Sequence, residues 1–207
     1  MIDLYTVKTA NGQRASIMLE ELGLPYETHL IDLTKGEHLS PAFLKINPLG
    51  MGPAITDREG PDGKPIHVFE TMAICTYLAE KTGQFLPKSG VARVEAQKWA
   101  TMVAADLGPA SAGIFYMGIS PKEPIAYGVE LFQGRLKRFY KAMDDHLADN
   151  AFLAGGDYTI ADILAYPSAT TSATRLPGGI AEFKNLKRWV DVLGARPAVK
   201  KGMAVSA

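Results

Sequence analysis

The first eighty residues change hydrophobic period repeatedly, whereas the rest of the chain keeps one. Residues 2–7 are a short apolar run of β-formers. After the turn-prone Thr9-Ala10-Asn11-Gly12, the apolar positions Ala15, Met18, Leu19 and Leu22 recur at helical spacing. Gly23 and Pro25 stop that helix and 26–33 supply a second β-rich segment, so the chain opens with a βαβ unit, whose strands pair in parallel. Ser40-Pro41, a cap followed by proline at the first helical position, predicts a short helix over 42–46 that Asn47-Pro48 ends. Residues 54–57 and 67–69 read as a hairpin around Gly60-Pro61-Asp62-Gly63. Helical spacing returns from Glu70 through Ala73, Ile74, Tyr77 and Leu78 and ends near Gly83, with Lys81 in the last turn. The order βαβαββα closes an α/β domain over 1–82.

Residues 83–90 read as a linker, and 91–207 as an all-α C-terminal helical bundle with helices near 91–115, 124–149, 159–174 and 183–194 and a short last one from Pro197. Thr159-Ile160-Ala161-Asp162 has the form of a capping box, with aspartate in place of the longer Glu or Gln; the cap is worth about 1 kcal/mol. That position assigns Asp162, and with it Asp157, to structure and not to catalysis.

Charge and composition narrow the partners. With 22 basic and 22 acidic residues in 207, the net charge is zero and gives no reason to expect nucleic acid. One cysteine, Cys75, rules out an intramolecular disulfide framework and a multi-cysteine zinc site, and suits a reducing, cytoplasmic location. The start of the chain lacks a signal-peptide pattern and no run of about 18 uninterrupted apolar residues occurs, so the expectation is no membrane. His29, His67 and His146 lack ligand-like spacing, so no metal is expected.

Three places are candidates for chemistry. The turn at Thr9 to Gly12 joins a strand to a helix start, where free amides and the helix dipole favour an anion; a thiolate is such an anion, and donors there lower a thiol pKa. Thr9 and Asn11 either serve that thiolate or merely cap the helix. In Asn47-Pro48-Leu49-Gly50-Met51-Gly52-Pro53-Ala54, a proline entering a strand suits a cis bond, which would turn the Gly52 backbone toward a peptide-like ligand. Glu70-Thr71 starts a helix directly after a strand: the hydroxyl and first amides suit a carboxylate, and Glu70 an ammonium, or the pair is an ordinary cap.

With the element order, the Asn-Pro-x-x-x-x-Pro-Ala loop, the acid-hydroxyl pair and the Thr-Ile-Ala-Asp box, the chain resembles the glutathione transferase family along essentially its whole length. Ile2-Asp3-Leu4-Tyr5, Thr9-x-Asn11-Gly12, Lys35-Gly36-Glu37-His38 and the segment from Ser40 to Pro48 are similar to the bacterial Nu-class and yeast prion-regulator-like branch. The resemblance implies a thioredoxin-like first domain, a homodimer, and glutathione, reduced or as its disulfide, as co-substrate beside a small disulfide or an electrophile. It implies that Thr9 and Asn11 face the sulfur, that Gly52 pairs with the cysteinyl unit beside cis-Pro53, that Glu70 and Thr71 hold the γ-glutamyl end, and that His38 serves the glycyl end. Disulfide reduction is the leading activity; conjugation to an electrophile and a non-catalytic binder are the alternatives.

Several residues depart from the branch or compete with these roles. Ala10 stands where proline is usual, Gly52 where Val or Ile is usual, and Thr71 where serine is common. Leu131 stands where some members carry an arginine, leaving Arg135 and Arg138 as open substitutes. Tyr5 reads as strand packing, because it precedes the turn. Cys75 lies too far into its helix to be activated by the helix start and reads as core. Trp99, Phe115 and Tyr116 read equally as an apolar pocket or as core.

Overall fold

The computed structural model describes residues 1–205, which pack as two units: 1–86 with the chain from 194 onward, and 87–193. The first unit contains β1 (Ile2–Thr6), α1 (Ala10–Leu22), β2 (Tyr26–Leu30), α2 (Pro41–Leu44), β3 (Ala54–Asp57), β4 (Ile66–Phe69) and α3 (Thr71–Thr82). The sheet order is β2-β1-β3-β4, with β1 parallel to β2 and antiparallel to β3, and β3 antiparallel to β4. This is the expected βαβαββα order.

Local chemistry sets the boundaries. Thr9 Oγ1 accepts the Gly12 amide at the start of α1, and Gly23 ends the helix at φ 62°. β2 stops three residues short of the predicted end, because the Asp32 carboxylate takes the Thr34 and Lys35 amides at 2.8 and 3.3 Å and folds the chain into a turn. Ser40 caps α2 by accepting the Phe43 amide at 3.2 Å, but the helix is one turn and ends at Leu44. Leu4 and Ile55 from the sheet, Ala15, Met18 and Leu19 from α1, and Ile74, Cys75 and Leu78 from α3 are fully buried. Each large apolar side chain in this core contributes roughly 1.5–3 kcal/mol.

The second unit is helical: α4 (Gly90–Met102), α5 (Gly108–Ile114), α6 (Ala126–Asp149), α7 (Ile160–Pro167) and α8 (Lys184–Gly194). A π-helical turn over Val103–Leu107 joins α4 to α5, and others follow α5 and α7. The helices expected over 91–115 and 159–174 are therefore continuous but irregular. Pro109 and Pro167 sit beside these turns, where a missing N–H disturbs the regular ladder. On length and composition the run Gly90–Ile119 could cross a membrane, and a third of its most apolar stretch is buried. Ala96, Ala100, Val103, Leu107, Ala110 and Ile114 form that buried stripe, packed toward α6 and α7.

The α7 capping box is present. Thr159 Oγ1 accepts the Ala161 amide at 3.3 Å, and Asp162 accepts the Thr159 amide at 3.0 Å. Asp162 also accepts the Leu153 amide and Trp189 Nε1, each at 2.9 Å. Burial, the largest influence, raises its pKa against these hydrogen bonds.

One boundary of the sequence reading is corrected. The last helix, α9 (Pro197–Ala204), is not part of a bundle over 91–207 but lies along α1 in the first unit. A Cβ on Gly202 would stand 2.5 Å from Ile17 Cα, so only glycine allows this approach, and Ser16 donates to Gly202 O at 2.7 Å. Arg196 pairs with Glu21 through two 2.7 Å bonds and Lys201 with Glu20 at 2.8 Å. Helical periodicity marks α9 as a helix and carries no information about which face of which neighbour it covers.

Candidate functional site

Register brings the three candidate segments to one edge of the sheet. Tyr5 of β1 lies opposite Ala54, the first residue of β3, and Ala54 lies opposite Phe69, the last residue of β4. The turn after β1, the Gly52-Pro53 entry to β3 and the Glu70-Thr71 exit from β4 therefore emerge together. The N-termini of α1 and α3, the positive ends of both helix dipoles, start from that edge.

At the first turn, Thr9 and Asn11 do different things. Thr9 is the cap of α1, as its residue type suggests, and its hydroxyl keeps a proton to donate outward. Asn11 does not cap. It is exposed, and its Oδ1 accepts from Nη1 of Arg14 at 2.6 Å. Arg14 is 3% exposed, and the same nitrogen lies 3.5 Å from Thr71 Oγ1, so one buried guanidinium links the starts of α1 and α3. Sequence reasoning missed Arg14. A charged residue beside the apolar positions Ala15 and Met18, one turn beyond Asn11, was the signal available.

At the second segment the Gly52–Pro53 peptide is cis, as expected from the tight entry to β3, and Pro53 is buried. Asn47 holds the preceding loop: its Oδ1 accepts the Leu49 amide at 3.0 Å, its amide donates to Met51 O, and its carbonyl accepts the Gly50 amide at 3.0 Å. The glycine at 52 has a packing cause, since a Cβ there would lie 2.7 Å from Cγ1 of Val7. Val7 fills the space that a branched residue at 52 would take. His38 lies in a 3-10 turn (Glu37–Leu39) against this loop, with Nδ1 buried and without a partner among the described residues.

The third segment is not an ordinary cap. Glu70 occupies the N-cap position of α3 at φ 69° and ψ 123°, a region that costs a non-glycine residue about 1–3 kcal/mol, and its side chain makes no capping bond. It is exposed beside the buried Thr71 hydroxyl. An acid outside and a hydroxyl with helix-start amides inside suit an ammonium and a carboxylate held side by side.

Matches to known proteins follow the same division of the chain. The glutathione S-transferase N-terminal domain matches residues 10–81 and the C-terminal domain residues 111–197. The disulfide-bond oxidoreductase YfcG of Escherichia coli K12 is 34% identical over 204 residues, covering 98% of this chain and 94% of its own. The chain belongs to the glutathione S-transferase family. A glutathione transferase family member from Pseudomonas fluorescens Pf-5, solved with two glutathiones bound, has a TM-score of 0.93 at 35% identity over 98% of this chain and 92% of that one. The glutathione transferase of Pseudomonas putida, solved with one glutathione disulfide per subunit, has a TM-score of 0.93 at 31% identity over 100% of this chain and 92% of that one.

For a glutathione S-transferase, the source of the reacting sulfur is decisive. Cys75 is fully buried, and burial pushes its thiol up to about 12, with only the Arg14 charge opposing. Tyr5 packs as expected: its ring stacks on His29 at 4.8 Å and lies 6.0 Å from Phe43. His67 bonds Thr56 at 2.8 Å and His146 bonds Leu153 O at 3.0 Å. His29 does fall within 4.8 Å of Asp3 and Glu27, a grouping that spacing did not foretell. Arg58 binds both oxygens of Asp3 and reaches Glu27, so the charge there is already matched by a guanidinium.

In the second unit, Trp99 packs on His146 at 4.6 Å, whereas Phe115 and Tyr116 are 36% and 62% exposed and so are not core. Phe115 lies 5.5 Å below the Arg175 guanidinium. Arg135 and Arg138 share one face of α6 with Tyr127, Leu131 and Gly134, along an open groove of about 400 Å³.

Proposed function

We propose that this glutathione S-transferase is a glutathione-dependent disulfide-bond oxidoreductase that uses the thiolate of bound glutathione as its nucleophile. The observation that carries the reading is the sulfur inventory: the turn at Thr9 to Gly12 offers donors and no cysteine, and Cys75, the single thiol of the chain, is buried and protonated. The name of YfcG and the glutathione disulfide in the Pseudomonas putida enzyme support the same reaction type. Thr9, Asn11 and the start of α1 hold the sulfur and lower its pKa. The Gly52 backbone beside Pro53 pairs with the cysteinyl unit, Glu70 and Thr71 take the γ-glutamyl ammonium and carboxylate, and His38 serves the glycyl end.

The reaction is two exchanges. The bound thiolate attacks one sulfur of a disulfide RSSR′, forming the mixed disulfide with glutathione and expelling R′S⁻, which takes a proton from water. A second glutathione thiolate attacks the glutathione sulfur of that adduct, giving glutathione disulfide and the second thiol. Two glutathiones are oxidised for each disulfide reduced, and the protein orients both partners for in-line attack. The enzyme works as a cytoplasmic homodimer on a small disulfide.

The test is steady-state reduction of a small model disulfide by glutathione, coupled to glutathione reductase, for the wild type and Asn11→Ala. Loss of one donor to a developing anion lowers kcat about 100-fold. Equal turnover in both proteins removes the first turn as the site, and no turnover in the wild type shifts the assignment to conjugation or to a non-catalytic binder.

A further inference from the structure

Arg14 is buried at a position that packing alone would give to an apolar residue. Its neighbours Ala15, Ile17 and Met18 are fully buried, and taking a guanidinium out of water costs several kcal/mol unless its donors are used. One of its terminal nitrogens is used on the candidate site. Nη1 stands 2.6 Å from Asn11 Oδ1 and 3.5 Å from Thr71 Oγ1.

Arginine has donors and no acceptor, so whatever faces it must present an oxygen. The Asn11 carboxamide is therefore turned with Oδ1 inward, which aims its two Nδ2 protons outward at the sheet edge. Thr71 obeys the same rule: its oxygen accepts from below and its hydroxyl proton is left to donate. A carboxamide without that restraint rotates freely and must be ordered by the anion itself, whereas the restrained one presents its N–H groups before the thiolate forms.

We infer that Arg14 is a positioning residue for the thiolate: by holding Asn11 Oδ1 it makes Asn11 an obligate donor to the glutathione sulfur, and by reaching Thr71 it ties that donor to the site of the γ-glutamyl end. This rests on the glutathione site proposed above. The positive charge of Arg14 adds to the effect, but the orientation of Asn11 is the specific claim. It predicts that Arg14 acts through Asn11, so that once Asn11 is gone, removing Arg14 does nothing further to the sulfur.

The experiment is a pH titration of the thiolate absorbance of glutathione bound to the wild type, Arg14→Met, Arg14→Lys, Asn11→Ala and the double variant Arg14→Met/Asn11→Ala, with glutathione affinity measured alongside. Arg14→Met raises the midpoint by about one pH unit, roughly tenfold in thiolate at a pH below both midpoints, and lowers kcat more than it raises KM. Asn11→Ala gives a similar rise, and the double variant gives no more than the larger single effect. Arg14→Lys, which keeps a charge and a donor, recovers part of the shift and covers the case in which Arg14→Met does not fold. An unchanged midpoint in Arg14→Met with reduced thermal stability makes Arg14 a structural residue and overturns the inference; where Arg14→Met does not fold, a shift in Arg14→Lys/Asn11→Ala that exceeds that of Asn11→Ala overturns it. Additive shifts in the double variant overturn it as well, because Arg14 then acts by its own charge. The titration needs bound glutathione and no turnover, so a wild type that binds and ionises glutathione without reducing disulfides contradicts the proposed reaction and leaves this inference standing.

Discussion

Two helix starts in this protein carry the same pair of residue types, an acid and a threonine, and put them to opposite uses. At α7, Thr159 is the cap and Asp162 sits three residues on, fully buried, its oxygens taken by the amides of Leu153 and Thr159 and by the Trp189 indole. At α3 the acid comes first: Glu70 occupies the cap position at φ 69° with no capping bond, and its side chain is exposed. An acid that reaches back into its own helix start satisfies the backbone and becomes structure. An acid held ahead of the helix, at a backbone cost, makes no capping bond and keeps its carboxylate outside, where a ligand can reach it.

Replacing each acid separates these uses. Asp162→Ala strands two buried amides and the Trp189 N–H at once, so it lowers unfolding free energy by about 3 kcal/mol or more in a denaturant titration, and the protein that remains folded binds glutathione with wild-type affinity. Glu70→Ala does the reverse: glutathione binding weakens by about 2 kcal/mol, close to thirtyfold in Kd by calorimetry, with little loss of stability. Equal effects of the two substitutions on binding would erase the contrast. Glu70→Gly tests the backbone separately: glycine lacks the Cβ that φ 69° disfavours, so it is no less stable than Glu70→Ala, while glutathione binding is weakened as in Glu70→Ala. Thr159→Ala costs about 1 kcal/mol of stability through loss of the cap and nothing in binding.

The smallest expected effect comes from an acid far from either helix start. The hydrogen-bonding Arg58 guanidinium holds the buried Asp3 carboxyl below the usual carboxylate range, helped by His29 and opposed by burial. The folded pKa lies below the unfolded one, so the ionised carboxylate stabilises the fold above the unfolded value and that contribution is lost as pH falls through the folded value. Asp3→Asn is therefore less stable than the wild type by about 1 kcal/mol at pH 7, Arg58 being half exposed, and the gap closes as the pH is taken below 3.8.

Much of this was legible along the chain because it depends on neighbours in sequence. The βαβαββα order, the Ser40 and Thr159 caps, the stop at Gly23 and the turn around Asp62 all follow from period, cap and turn chemistry within a few residues. The roles of Thr9, Asn11, Gly52, Glu70 and Thr71 rest on resemblance, and the register of β1, β3 and β4 is what sets their three segments at one sheet edge. Four features were not legible: Arg14 reaching Asn11 and Thr71, Val7 filling the space beside Gly52, the left-handed backbone at Glu70, and α9 docked on α1.

Distance along the chain hides the contacts of Arg14 with Thr71, of Val7 with Gly52 and of α9 with α1. Arg14 and Thr71 are 57 residues apart, and Ser16 and Gly202 are 186. A periodic pattern tells a helix which face to bury, but it does not say what lies beneath that face. Hydrophobic period, cap residues and turn residues set the elements and the chemistry available at each turn. Packing of distant segments decided which donors face outward, because a buried guanidinium or a neighbouring methyl group acts only where the fold has placed it.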